Sequence, residues 1–286
     1  MDKLKEKIGF IGAGNMAEAM ISALIATGAS SPDAIFISDV DSKRLDHLRS
    51  VYGIQPLADN AKVVDESTLV IFAIKPQQMV TVLDDLSRRE AFAAREDRKL
   101  FVSIAAGIRI KTLEDIIYAG KSMTERVRMP ILRVMPNTPA LVQAGMCALC
   151  GNSQASPDDM ERTMRILSAM GKAMVFDEEQ MDTITAISGS GPAYCFYLIE
   201  ALIAAGEQLG LAADDAAALT IATFSGSLRL LEQMNESPGS LRRKVTSPGG
   251  TTEAAIRILD GRDFKTVVLD AVSAAAERSR QLSGGK

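Results

Sequence analysis

The chain has 286 residues, 47 % of them hydrophobic, and a net charge of −4, which suits two domains with packed cores. So mild an acidity gives no basis for binding nucleic acid or an anionic membrane, and three cysteines cannot build a disulfide framework. The opening M-D-K-L-K-E-K lacks the apolar core of a signal peptide, and no apolar run approaches the roughly 18 residues of a membrane span. A soluble protein of a reducing, cytoplasmic compartment with no membrane partner is predicted.

The first element is the most informative. Lys7–Ala17 reads K-I-G-F-I-G-A-G-N-M-A. Ile8, Phe10 and Ile11 suit a short buried strand. Gly12, Gly14 and Ala17 follow in G-x-G-x-x-A spacing. Met16, Met20, Ile21, Leu24 and Ile25 then recur at helical spacing. Strand, glycine turn and helix in that order form a dinucleotide-binding fingerprint. Gly12 permits the tight turn, Gly14 lets backbone approach a pyrophosphate, and Ala17 lets the helix pack on the strand. The helix N-terminus offers free N–H groups and a partial positive charge to the phosphates.

Ala34–Ser38 reads as the second strand, ending at Asp39, 25 residues beyond Gly14. An acid there either binds a ribose hydroxyl or serves as a turn or helix-cap aspartate in D-V-D-S. Lys43 and Arg44 are alternatives that would meet a 2′-phosphate. Leu69–Ile74 is a strongly apolar parallel strand stopped by Lys75-Pro76, which places A-I-K-P at a strand's carboxyl end, where open α/β sheets bind ligands. Leu100–Ile104 is another strand, closing on Ala105-Ala106-Gly107, small enough for backbone to approach a cofactor. Arg133–Met135 leads into the rigid turn Pro136-Asn137-Thr138-Pro139. Gly145–Leu149 and Ala173–Phe176 read as further strands, flanking an amphipathic helix at Pro157–Met170 whose methionines fill core. Cys147 and Cys150 form a C-x-x-C, but in a strand they face opposite sides. With Cys195 and His47 the only other Cys or His, no metal site is expected.

The pattern changes at Asp177-Glu178-Glu179. Strands give way to helices at Ala193–Leu209, Ala212–Met234, Thr251–Leu259 and Asp263–Leu282, after a flexible turn at Ser188-Gly189-Ser190-Gly191-Pro192. This region carries more apolar surface than it can bury alone, which implies a subunit interface. Within it, V-T-S-P-G-G-T-T at 245–252 surrounds a Pro-Gly-Gly turn with the hydroxyls of Ser247, Thr251 and Thr252. With the N–H groups of the following helix they form either a small-carboxylate site or an ordinary Ser/Thr helix cap. The one histidine, His47, lies on a charged surface helix, so a Ser-His-Asp triad or histidine acid is not expected. An already activated acceptor such as an imine needs less acid catalysis than a ketone, and a hydroxyl donor suffices to orient it.

The motifs together resemble the pyrroline-5-carboxylate reductases of proline biosynthesis: G-F-I-G-A-G-N-M-A at 9–17, A-I-K-P at 73–76, S-I-A-A-G at 103–107, R-V-M-P-N-T-P-A at 133–140, S-G-S-G-P-A-Y at 188–194 and V-T-S-P-G-G-T-T at 245–252. The resemblance implies an α/β fold, an N-terminal Rossmann-type doubly wound sheet followed by a C-terminal all-α dimerisation domain. Domains are accordingly expected at 1–177 and 178–286, with homodimers that assemble into rings of five, a homodecamer. It implies reduction of 1-pyrroline-5-carboxylate to L-proline with hydride from NADPH or NADH. It further implies that Ile11, Gly12, Ala13, Gly14, Asn15, Met16 and Ala17, with Ala73, Ile74, Lys75, Pro76, Ile104, Ala105 and Ala106, hold the cofactor, and that Asn60 lies near the adenosine ribose. Ser247, Gly250, Thr251 and Thr252 would hold the substrate carboxylate, and Thr252 would bond the ring nitrogen.

Two residues depart from that pattern. Asp39 stands where many NADPH-using members carry a small hydroxyl residue or Asn, and a carboxylate there repels a 2′-phosphate. Lys244 stands where some relatives have Asn. Two other readings fit less of the sequence. A β-hydroxyacid-dehydrogenase-like enzyme would need Lys244, the only lysine between Lys172 and Lys265, as its catalytic lysine. A non-catalytic cofactor-binding regulator would leave the 245–252 loop without a purpose.

Overall fold

The structure is a computed structural model describing residues 6–93 and 97–284. Its contacts divide the chain into two compact units, residues 1–190 with 275–286, and residues 191–274.

The first unit is built on an eight-stranded sheet. In chain order its elements are β1 (Ile8–Ile11), α1 (Asn15–Ala26), β2 (Ile35–Ser38), α2 (Ser42–Tyr52), β3 (Gln55–Pro56), α3 (Asn60–Glu66), β4 (Leu69–Phe72) and α4 (Pro76–Arg88). They continue with β5 (Leu100–Ser103), α5 (Ile110–Ile117), α6 (Met123–Val127), β6 (Ile131–Met135), β7 (Gly145–Gly151), α7 (Pro157–Ser168), β8 (Gly171–Val175) and α8 (Met181–Ile184). The strand order is β3-β2-β1-β4-β5-β6-β7-β8. β1 lies parallel to both β2 and β4, so the order reverses beside β1, which makes that edge the switch point of a doubly wound sheet. Every residue of β1, β4 and β5 is buried, as a sheet covered on both faces requires.

Two apolar layers cover the faces. One packs α1 and α7 through Met20, Leu24, Ile166 and Leu167; the other packs α4 and α5 through Met79, Leu83, Leu113 and Ile117. Cys147 belongs to the first layer and Cys150 to the second, as strand alternation demands. Burial pushes their thiols up to about 11 and about 12, so both stay protonated near neutral pH.

The structure adds to the sequence reading at three points. β7 runs antiparallel to β6, because residues 136–144 between them are too few for a crossover helix. Residues 185–189 form a wide helical turn, not a loop, continuing α8 toward the next helix. The contacts group residues 178–190 with the first unit. Met181 and Ala186 are fully buried, Met181 in the α4/α5 layer, so this stretch packs into the first unit and the division falls after Ser190.

The second unit is helical: α9 (Gly191–Gln208), α10 (Ala213–Gln233), α11 (Pro238–Lys244), α12 (Thr251–Gly261) and the start of α13 (Phe264–Leu282). Among the fully buried apolar residues only Ala216 belongs to it, while Phe196, Tyr197, Leu219, Leu228, Ile258 and Leu269 are exposed in the single chain. Contrary to the expectation that nothing approaches membrane-spanning length, residues 178–208 are one continuous helical stretch long and apolar enough by composition to cross a bilayer. The flexible turn expected at 188–192 hid this continuity.

Candidate functional site

The glycine turn follows β1 at the switch point. Gly12 N–H donates to the Ser38 carbonyl at 2.8 Å, and Ala73 N–H donates to the Ile11 carbonyl at 2.8 Å, so the ends of β1, β2 and β4 meet there. Gly12 has φ +101°, and a Cβ on it would sit 2.6 Å from the Ala73 carbonyl oxygen, so only glycine fits. Gly14 is different. It is the N-cap of α1 with an ordinary φ of −69°, and nothing lies within 4 Å of where its Cβ would be. The helix begins with no side-chain cap, which leaves its first N–H groups available to an anion.

The turn is braced from behind. Asp39 accepts from Ala13 N–H at 2.6 Å through one carboxylate oxygen and from Asp41 N–H at 2.9 Å through the other. The cap of α2 is Asp41, which accepts from Lys43 and Arg44 N–H, so Asp39 is a turn residue and not the helix cap. Arg44 Nε donates to the Ala13 carbonyl at 2.7 Å, and its guanidinium pairs with Glu18. Tyr52 donates to the same glutamate at 3.1 Å. Burial by itself would raise the Glu18 carboxyl, but Arg44 and Tyr52 outweigh it and hold it below the usual carboxylate range. Arg44 is therefore committed to the turn, whereas Lys43 is exposed.

A cleft of about 310 Å³ opens in front of this turn, bounded by Ile11, Gly12, Gly14, Asp39, Asn60, Ala73, Ile74 and Lys75 from the expected set. Ser38, Val40, Gln78 and Val82 also line it and were not anticipated. Ser38 donates to the Asn60 side-chain oxygen at 2.7 Å and so orients it. Val40 is fully exposed. Gln78 and Val82 stand one turn apart on α4, which Pro76 opens; a helix read from that proline would have located them. The other expected residues do not line the cleft. Ala13 and Ala17 are buried beneath the turn, and Asn15 and Met16 start α1. Ile104, Ala105 and Ala106 follow β5 at the same sheet edge, with Ile104 N–H donating to the Phe72 carbonyl at 3.2 Å. A larger hollow of about 480 Å³ over α5 and α6 mixes Lys111 and Arg126 with Glu114 and Asp115.

The 245–252 loop belongs to the second unit. Gly250 N–H closes it by donating to the Ser247 carbonyl at 3.0 Å. The N-cap of α12 is Gly250, with no side-chain cap, so the Ser/Thr cap considered from the sequence is not formed. Thr251 and Thr252 are the first two helical residues. Among the described residues, the Ser247, Thr251 and Thr252 hydroxyls have no hydrogen-bond partner. Glu253 reaches back to accept from Gly249 N–H at 2.8 Å. Lys244 is engaged elsewhere, 2.6 Å from the Glu236 carboxylate, which also accepts from Ser240 at 2.9 Å. Among the described residues no three or more His, Cys, Asp or Glu side chains are placed to hold a metal ion. His47 is an exposed residue 3.7 Å from Glu18.

A doubly wound sheet with a glycine turn, an uncapped helix N-terminus and an open cleft at its switch point defines a dinucleotide-binding oxidoreductase of the Rossmann class. Residues 7–107 match the family model described as NADP oxidoreductase coenzyme F420-dependent, and residues 178–282 match pyrroline-5-carboxylate reductase dimerisation. The chain is 39 % identical to the pyrroline-5-carboxylate reductase of Pseudomonas aeruginosa, over 97 % of each chain. It is 35 % identical to that of Arabidopsis thaliana, over 97 % of this chain and 95 % of the relative. Among solved structures it is similar to the Coxiella burnetii pyrroline-5-carboxylate reductase, with a TM-score of 0.87 and 34 % identity over 98 % of this chain and 99 % of that one. It is also similar to the Plasmodium falciparum pyrroline carboxylate reductase with NADP bound, with a TM-score of 0.85 and 28 % identity over the same shares. The chain belongs to the pyrroline-5-carboxylate reductase family.

Proposed function

We propose that this protein reduces 1-pyrroline-5-carboxylate to L-proline with hydride from NADPH or NADH. The observation that carries the reading is the coexistence in one family member of an open glycine-turn cleft and a loop of unbonded hydroxyls at an uncapped helix start. The bound nicotinamide would supply the hydride. Gly12, Gly14 and the N–H groups of Asn15, Met16 and Ala17 would hold the pyrophosphate. Asp39 and Asn60 would take the adenosine ribose, with Val40 as an apolar surface beside it. Ala73–Pro76 and Ile104–Ala106 would line the nicotinamide half.

The substrate loop needs no arginine. N–H groups of Thr251 and Thr252 at the start of α12, with Ser247 and Gly250, would bind the carboxylate. The Thr252 hydroxyl would donate to the imine nitrogen, which draws electron density from the adjacent carbon and prepares it for hydride. Lys244 is paired with Glu236, which disfavours the catalytic-lysine role that a β-hydroxyacid dehydrogenase would need. The test of this function is oxidation of NADPH or NADH that depends on added 1-pyrroline-5-carboxylate.

Cofactor choice follows from Asp39. A carboxylate at the ribose disfavours a 2′-phosphate, so we expect NADH to be the better donor. Asp39→Ser should raise the ratio of kcat/KM for NADPH over NADH at least tenfold. An unchanged ratio would remove Asp39 from the ribose site and point to Lys43.

The exposed apolar residues of the second unit need a cover, and a second copy of this chain supplies it better than lipid, because their helices belong to the dimerisation region. A homodimer, and by the family resemblance a pentamer of dimers, follows in a cytoplasmic setting. Light scattering at micromolar concentration should give two chains or an even multiple; a monomer would contradict it.

A further inference from the structure

The end of α13 returns to the first unit. By its contacts the described chain from Ala275 onward groups with the first unit. There Asp182 of α8, only 7 % exposed, accepts from Ser279 at 2.6 Å through one carboxylate oxygen, and Ser283 shares its one hydroxyl proton between that oxygen at 3.2 Å and the Ser279 carbonyl at 2.9 Å. Its other oxygen faces the Arg109 guanidinium at 3.9 Å. Arg109 ends the loop that begins at Ile104. In the middle of that loop, a Cβ on Gly107 would lie 3.3 Å from Leu282 Cβ and 3.5 Å from its carbonyl carbon, so the last turn of α13 rests on the loop. Next along the chain, Ile110 N–H donates to Glu178 at 2.7 Å, and Glu178 also accepts from the buried Arg133 at 3.2 Å.

The 104–109 loop and the start of α5 are thus held at three points: by Leu282 of the C-terminal end at Gly107, by Asp182 at Arg109 and by Glu178 at Ile110. None of the residues that make these contacts lines the cleft. A buried carboxylate bonded by Ser279 near the end of α13 and by Ser283 in the turn just after it is a specific clasp, because losing the hydroxyls leaves a desolvated charge. We propose that Asp182, Ser279 and Ser283 are positioning residues for the dinucleotide: they fix the C-terminal turn against the 104–110 loop, and so fix the backbone of Ile104–Ala106 for the nicotinamide. The inference rests on the reading of Ile104–Ala106 as part of the cofactor site.

The test combines a double variant with hydrogen exchange on the unmodified protein. In Ser279→Ala/Ser283→Ala, the dissociation constant for NADH or NADPH should rise at least fivefold, while the KM for pyrroline-5-carboxylate stays within twofold. Asp182→Asn keeps an acceptor oxygen for the hydroxyls but gives up the charge facing Arg109, so it should lose affinity by less than the double variant does. In the unmodified protein, adding dinucleotide should slow amide exchange in 104–110 and 279–283 together. Unchanged affinity in the double variant, or protection of 104–110 without 279–283, would overturn the proposal. If dinucleotide protects neither these segments nor residues 12–17, the cofactor reading itself falls, and the clasp falls with it.

Discussion

Gly14→Val should weaken dinucleotide binding by well over tenfold and leave the fold intact. The two halves of that expectation have separate causes. Gly14 has an extended backbone with φ −69° and ψ 178°, which valine adopts without strain, and nothing lies within 4 Å of the added Cβ. The protein therefore loses nothing internal. The branched side chain instead fills the open space before the α1 N-terminus, where phosphate oxygens would approach the N–H groups. A tenfold loss corresponds to about 1.4 kcal/mol of binding. Gly12→Val would be a poorer test, because its Cβ would collide with the Ala73 carbonyl and disturb the junction of β1 and β4. Titration by protein fluorescence or calorimetry, with a thermal melt beside it, reads both halves. Undiminished affinity in a folded Gly14→Val protein would remove the turn from the cofactor site.

Thr252→Ala should lower kcat at least tenfold with little change in the melting temperature. The hydroxyl makes no hydrogen bond within the described chain and does not cap α12, whose N-cap is Gly250. Its removal should move the melting temperature by no more than about 2 °C. If the hydroxyl bonds the imine nitrogen most strongly as hydride arrives, turnover falls more than binding, and tenfold is about 1.4 kcal/mol of transition-state stabilisation. Ser247→Ala should instead mainly raise the substrate KM, since a carboxylate contact is alike in ground and transition states. Neither change should alter dinucleotide affinity. Unchanged kinetics in Thr252→Ala would leave the loop without its assigned role.

What was legible in the sequence was local or periodic. The β1–turn–α1 unit could be read because glycine spacing, apolar run and helical period all occur within twenty residues. The opposed burial of Cys147 and Cys150 followed from strand alternation alone. The short elements were lost: β3 has two residues, and α3, α5 and α6 run five to eight, too short for a period to emerge. The antiparallel direction of β7 follows from the brevity of residues 136–144. Composition turns helical at residue 177, whereas the compact units divide after Ser190; Met181 and Ala186 are apolar in either setting. At the candidate site, Asp39 could be placed at the turn, but its bond to Ala13 N–H and the commitment of Arg44 to Glu18 depend on how α1 and α2 pack, which no spacing reveals.

The central claim, that the chain reduces a cyclic imine carboxylate with a nicotinamide donor, is tested most directly by following NADH and NADPH oxidation at 340 nm on adding 1-pyrroline-5-carboxylate, with 3-oxo acids as the control and proline measured as product. The account predicts oxidation with pyrroline-5-carboxylate and one proline formed per dinucleotide consumed, with no oxidation by the oxo acids. Oxidation by 3-oxo acids alone, or by neither substrate with either donor, would contradict it.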